Sequence, residues 1–356
     1  PTLTAVGIAV DNTGNANNGD DVTLTFTASE TVGTPTCTFT SGGDAMADSS
    51  ITVANPSGNQ WTCVADVADA DTDGAVAFSI AFTDSAGNAG TAVSAVTDSS
   101  TVTVDNTHPT LSIAMTTNGN AGYAKSGQII TLTITASETV TGLVCTIDGE
   151  ATTMGGSGTA WTSALTISGD ETEQNTVFSC ASHVDAAGNA GVTDTTANSG
   201  AVIVDYTAPT STSAVIATSG TGNANDADVV TLTLNPSETV GTPTCTWTDG
   251  SGAMADTSVT YGTTGDDSHT AAVTVANADE DGAVGFSCTY SDLAGNAIAS
   301  AITSTSDSSS VTIDNTHPTL TAVGIAVDNT GNANNGDDVT LTFTASETVG
   351  TPTCTF

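Results

Sequence analysis

The chain has 356 residues, one Lys, no Arg and 39 Asp plus Glu, for a net charge of −38. That balance excludes nucleic acid as a partner, since neutralising phosphates takes Lys and Arg, and it favours bound divalent cations, a salty habitat or solubility alone. Hydrophobic content is 38%, enough for small cores, and no apolar run approaches the ~20 residues of a membrane helix.

Self-similarity governs everything else. Pro1–Phe39 is identical to Pro318–Phe356. The chain reads as repeat 1 (1–108), repeat 2 (109–208), repeat 3 (209–317) and the opening of a fourth (318–356), and it is expected to be a window on a longer tandem protein. Repeats of roughly 100 residues suit one sandwich domain each.

In repeat 1, Leu3 to Val10 reads as the opening strand and Asp11 to Asp21 as a Gly/Asn/Asp loop. Val22, Leu24 and Phe26 then alternate with Thr23, Thr25 and Thr27, the period of a strand with one buried face. Thr suits the outer face because it is β-branched yet polar. After Glu30 to Pro35 comes a strand around Cys37 and Phe39. A polar stretch leads to a strand over 61–67. The loop Ala68 to Gly74 precedes the alternating Val76, Phe78, Ile80 and Phe82. Asp84 to Asn88 turns the chain, and Thr101 to Val104 closes it. No stretch has helical periodicity. The fold class is all-β: tandem immunoglobulin-like β-sandwiches of about seven strands each.

Seven Cys distribute as Cys37 and Cys63, Cys145 and Cys180, Cys245 and Cys288, with Cys354 in the fourth repeat. The spacings contain no CxxC, which argues against zinc. One disulfide per repeat, Cys37–Cys63, Cys145–Cys180 and Cys245–Cys288, implies an oxidising, extracellular compartment; buried free thiols are the alternative. In repeat 1 the position of Cys180 and Cys288 is held by Ile80, and the second Cys has moved to an earlier strand.

Three landmarks recur in order in the full repeats. Ser-Glu-Thr-Val carries Glu30, Glu138 and Glu238, and returns with Glu347. Asp-x-Ala-Gly-Asn carries Asp84 and Asn88, Asp185 and Asn189, Asp292 and Asn296. Val/Ile-Asp-x-Thr-x-Pro closes each repeat with Asp105 and Asn106, Asp205, or Asp314 and Asn315. The Pro marks a joint because it fixes φ and cannot extend a ladder. In a sandwich the loop before the sixth strand shares a pole with the chain's exit. Each joint should therefore gather acids from the preceding repeat, the linker and the following repeat. Asp69-x-Asp71-x-Asp73-Gly74 has the spacing of a calcium loop, and repeat 3 keeps Asn277, Asp279, Asp281 and Gly282. Calcium at the joints is the expected cofactor, against the alternative of a merely solvated acidic surface. Repeat 2 departs, with Asp170, Glu171 and Glu173 and no following Gly. It also carries Lys125 where the others carry acids, so its ammonium either replaces a cation in part or is solvated.

Together these motifs resemble the bacterial immunoglobulin-like repeats of giant surface proteins and adhesins. The Asp-Asn linker before Pro is similar to the calcium-binding linker of cadherins, although a full cadherin pattern is absent. The resemblance implies a secreted or cell-surface structural role, with neighbouring copies of the same repeats as partners and cell surface or glycans as further ones. Catalysis finds no support. His108 and His317 lie in linkers, His183 and His269 lack an evident nucleophile, and acid pairs recur in every repeat. Trp61, Trp161 and Trp247 read as core residues. Glycan binding by the repeats would want exposed aromatics, which make up only 4% of the chain. The expected function is a fibre or stalk stiffened by calcium and stapled by disulfides. The alternative is the extender of an adhesin whose binding tip lies elsewhere.

Overall fold

A computed structural model describes all residues except Ser49, Ala121, Gly265 and Asp266. Among the described residues every regular element is a strand. The chain divides into two compact units, Pro1–Tyr206 and Thr207–Phe356.

Repeat 1 contains β1 (Leu3–Val10), β2 (Asp21–Ala28), β3 (Thr36–Ser41), β4 (Asp44–Ala45), β5 (Thr52–Ser57), β6 (Gln60–Asp66), β7 (Gly74–Ala81) and β8 (Thr103–Val104). They form two sheets, ordered β1-β2-β6-β5 and β4-β3-β7-β8. The alternation in β2 is realised: Val22, Leu24 and Phe26 are buried, and the threonines between them are not. Strand β5 falls in what reads as a polar stretch. It is an edge strand in which only Val53 is even half-buried, so it has no alternation to betray it. A bulge interrupts β1 between Thr4 and Gly7, with Ala5 at φ 49°. A Cβ at Gly7 would lie 2.5 Å from a carboxylate oxygen of the exposed Asp98, whose side chain would have to move aside. The core runs from Val6 to Val104 and takes side chains from both sheets.

Repeat 2 contains β9 (Leu111–Thr117), β10 (Tyr123–Ala124), β11 (Ile129–Val140), β12 (Val144–Ile147), β13 (Glu150–Ala151), β14 (Thr153–Thr166), β15 (Phe178–Ala181) and β16 (Ile203–Val204). Its main sheets are β14-β11-β9 and β13-β12-β15. Strand β11 continues through Ser-Glu-Thr-Val, so Glu138 projects from the end of a ladder. Ile113, Ile130, Leu132, Ile134 and Ile147 fill a second core.

Repeat 3 contains β17 (Ser211–Thr218), β18 (Val229–Pro236), β19 (Thr244–Thr248), β20 (Thr260–Thr263), β21 (His269–Thr274), β22 (Gly282–Ala283), β23 (Gly285–Thr289) and β24 (Thr312–Ile313). Its sheets are β17-β18-β21-β20, β19-β23 and β22-β24. Trp247 is buried beside Phe286, their ring centroids 6.2 Å apart and tilted by 56°. Trp61 and Trp161 are half-buried against the other two cores. The last residues form a hairpin, β25 (Leu320–Val327) and β26 (Val339–Ala345), in the register of β1 and β2. Its apolar face is open: Ile325 is 69% exposed, where the identical Ile8 is 5% exposed.

All three disulfides form, with Cys354 free and exposed. Cys145–Cys180 and Cys245–Cys288 join residues directly opposite each other on neighbouring strands of one sheet. In repeat 1 the residue opposite Cys37 is Ile80. Cys37 therefore reaches across the core to Cys63 on the other sheet. The architecture is a tandem of immunoglobulin-like β-sandwiches.

Candidate metal centres at the repeat joints

The acidic loop after β6 is built for holding backbone. Asp71 is 6% exposed. One of its carboxylate oxygens accepts the Ala47 N–H at 2.6 Å and the other accepts the Ala68 N–H at 2.9 Å. Asp279 repeats this with Ala255 and Ala276. Asp73 turns to the linker, where it accepts the Asn106 N–H at 2.6 Å and the Thr107 hydroxyl. Asp281 grips Asn315 and Thr316 in the same way, and these bonds hold its pKa below the usual carboxylate value. Asp69 is exposed. Among the described residues, Asp69, Asp71 and Asp73 do not form one of the close carboxylate groups. The loop closes a turn through Asp71 and clasps the chain's exit through Asp73.

Asn106 completes the clasp. Its amide donates to Ala68 O at 2.9 Å and Asp71 O at 3.2 Å, and its Oδ1 is shielded from solvent without a hydrogen-bond partner. Asn315 does the same with Ala276 O and Asp279 O, and its Oδ1 is also shielded and unpartnered. Near it Asn225, Asp226, Asn277 and Asp314 line a cleft of about 380 Å³. Repeat 2 reaches the same end with different groups. Glu173 accepts the Tyr206 N–H at 2.8 Å, and the Tyr206 hydroxyl donates to Glu171 O at 2.7 Å. Lys125 is half-buried, and its backbone N–H donates to the Gln128 side chain at 2.9 Å.

One close carboxylate group lies between repeats 1 and 2. Asp105 follows β8, Glu138 sits near the end of β11, and Asp185 opens the Asp-x-Ala-Gly-Asn turn after β15. One oxygen from each lies within 4.8 Å of the others. The turn aims Asp185: one of its oxygens accepts the Gly188 and Asn189 N–H groups at 2.7 and 2.8 Å, and the other accepts the Asn189 amide at 2.8 Å. Asn189 also donates to Asp105 O at 2.7 Å, tying the turn to the linker. Asp185 and Asn189 are each 5% exposed. Burial, followed by the charges of Asp185, Asp105 and Asp73, pushes the Glu138 carboxyl above its ordinary value. Three carboxylates at this separation repel one another unless a cation or a proton intervenes. The donor set is all oxygen, which suits a hard cation such as calcium.

The other expected positions are placed as follows. The Asp84 turn forms with the same bonds from Asn88, which hold Asp84 low, but Asp84 is half-buried and Asn88 exposed, where Asp185 and Asn189 are buried. Glu30 is exposed. Asp292 is 5% exposed and accepts both the backbone and the amide N–H of Asn296 at 2.8 Å. Glu238 is half-buried. The Asp205 N–H donates to Ala124 O at 2.9 Å. Glu347 has one carboxylate oxygen shielded and unpartnered.

Sequence reasoning missed that repeats 1 and 2 also touch directly. A Cβ at Gly14 would come within 2.6 Å of Ala186 O, and one at Gly188 within 3.2 Å of the Asn17 amide. His108 Nδ1 lies 2.8 Å from Ala190 O. The only available signal was a Gly in a polar loop, which is common without such a contact.

No protein-family model matches the chain, and no curated protein matches it. Solved structures similar to it are themselves tandem arrays. A three-domain fragment of titin, in an E-to-A mutated variant, is 11% identical with a TM-score of 0.35, covering 87% of this chain and 99% of that one. A tetra-tandem repeat in the extending region of a large adhesion protein is 15% identical with a TM-score of 0.34, covering 96% of this chain and 87% of that one. Extracellular domains 3–5 of Drosophila OTK are 11% identical with a TM-score of 0.22, covering 87% and 96%.

Proposed function

We propose that the chain is the structural repeat region of a secreted or cell-surface fibre, with calcium bound where repeats meet and one disulfide stapling each repeat. The observation that carries the calcium reading is the Asp105–Glu138–Asp185 group, in which Glu138 is held partly buried among like charges. The three carboxylates supply part of the six to eight oxygens calcium takes, and water supplies the rest. The clasped linker and the Gly14–Ala186 approach support stiffness at the same joint. Disulfides in small domains support an oxidising, extracellular setting. The absence of any constellation of nucleophile, base and orienting group in the sequence favours a role without catalysis.

A second reading, the extender of an adhesin, uses the same repeats and adds a separate binding tip. The printed description of one similar structure, the extending region of a large adhesion protein, favours keeping it.

Small-angle scattering of the chain with calcium and with excess chelator tests the calcium reading. The expected result is a stiff particle that becomes flexible on chelation. Identical scattering in both conditions removes calcium from the account and leaves direct packing as the source of stiffness.

A further inference from the structure

An Asn side-chain amide is open to attack by the backbone nitrogen of the next residue, and most of all where that residue is Gly and puts no side chain in the way. The chain has three such pairs, Asn18–Gly19, Asn118–Gly119 and Asn335–Gly336. The last is a copy of the first, so repeats 1 and 2 offer the comparison.

Asn18 is exposed but locked. It sits in a reverse turn closed by the Asp20 N–H on Asn17 O at 3.0 Å, with Gly19 at φ 96°. Such a turn holds the residue before the Gly at ψ of about +120°, which swings the Gly nitrogen away from the amide carbon. The Gly19 N–H is also committed to Val67 O at 2.8 Å.

Asn118 is exposed in a bend just past β9. Here the Gly119 N–H donates to the Thr117 hydroxyl at 3.1 Å. The Asn118 amide oxygen accepts the Ile129 N–H at 2.7 Å. That donor stands where negative charge collects when the amide carbon is attacked. A Cβ at Gly119 would lie 2.7 Å from the backbone oxygen of Tyr123, so packing keeps the Gly in place.

The slot also fits the product. In repeat 1 the counterpart is Asp11, whose N–H donates to Asp21 O at 3.2 Å and whose carboxylate accepts the Asp21 N–H at 3.1 Å. Asn118 makes the same two bonds with Ile129. Aspartate in this slot keeps both.

We propose that Asn118 is a self-modifying site, which the folded chain converts to aspartate as it ages. The Gly119 nitrogen bonds to Asn118 Cγ and gives its proton to water. The Cγ–Nδ2 bond breaks and ammonia leaves. Water then opens the imide ring at one of its two carbonyls, giving aspartate or isoaspartate. One water is consumed for each ammonia released, and nothing is oxidised or reduced. An array of copies then records its age as accumulated negative charge. No cation takes part, so this site stands or falls separately from the calcium reading.

The test ages the full chain in chelator at mildly alkaline pH, folded and in urea, and follows each pair by peptide mass spectrometry. Asn335→Gln is the background, so that the signal of Asn18 is its own. In the folded chain Asn118 should convert about 10-fold faster than Asn18, the factor set by freeing one backbone hydrogen bond. In urea the two rates should converge. A folded rate at Asn118 no greater than that at Asn18, or no conversion at either, would overturn the proposal. Asn118→Asp should melt with the native chain, and Asn118→Ala, which drops the Ile129 contact, below it. If Asn118→Asp melted as low as Asn118→Ala, the slot would reject the product and the proposal would fail there too.

Discussion

His183 occupies the slot that holds Phe82 in repeat 1 and Tyr290 in repeat 3, two residues before the turn-opening Asp each time. It is 1% exposed, and neither ring nitrogen has a hydrogen-bond partner. Gly191 lies against its ring, as Gly90 lies against Phe82, and a Cβ on either would collide. Tyr290 solves the polar problem by donating its hydroxyl to Thr210 O at 3.2 Å. A buried polar group without a partner costs about 1–3 kcal/mol, so His183→Phe should raise the melting temperature of repeat 2, read by calorimetry of the whole chain. A fall would mean that the imidazole has a partner in solution. Asp71 and Glu138 make opposite predictions. Asp71→Ala strands two backbone N–H groups and should destabilise repeat 1 by about 2–4 kcal/mol, leaving the proposed calcium response at Glu138 intact. Glu138→Gln should abolish that response. Because the folded-state pKa of Glu138 is raised, the folded state holds its proton to higher pH than the unfolded chain does. In chelator its ionisation therefore costs stability as pH rises from the ordinary Glu value through the raised one. Glu138→Gln should flatten that fall, and melting curves across the interval in chelator check it. Both acids stood out in the sequence. The backbone groups that Asp71 and Asp73 hold, up to 33 residues away, were not legible there, because the spacing of the acids says nothing of their distant partners.

At the scale of elements, legibility followed burial. Strand β2 could be read because one face is sealed and the other is Thr, so period 2 appears in the residues themselves. Strand β5 could not, since an edge strand with no buried face leaves no periodic trace. The short β8 and β16 were half legible: Val104 and Val204 mark them, but their parallel contacts come from a loop that reads only as Gly, Asn and Asp. The disulfides were legible down to their irregular member, because Ile80 stood where a Cys was due. The joint was the least legible element. Gly14 belongs to repeat 1 and meets Ala186 of repeat 2, a contact that no local pattern encodes. Gly14→Val should leave the melting of repeat 1 within about 0.5 kcal/mol, as a surface change does, while loosening the coupling between repeats 1 and 2. Residual dipolar couplings measured on each repeat would show this as two alignment tensors where the native pair shares one.

For the whole molecule, each repeat owns a core of its own, from Val6 to Val104, Ile113 to Val204 and Ala214 to Ile313. Length in the proposed fibre can then grow by adding copies, as in other arrays whose units touch only their neighbours. The disulfides give that array a second property. Repeat 1 has 108 residues, of which its bridge withholds 26 from extension, leaving 82. The same subtraction leaves 65 of 100 in repeat 2 and 66 of 109 in repeat 3. A stretched chain should therefore lengthen in one long and two nearly equal shorter steps, and a reductant should lengthen all three. The covalent bridges thus act as a ruler with two settings. In oxidising surroundings an overstretched thread stops short, with a loop of every repeat still tied off; in reducing surroundings the same thread spans further, so the chemistry of the medium decides how far it can reach before it breaks.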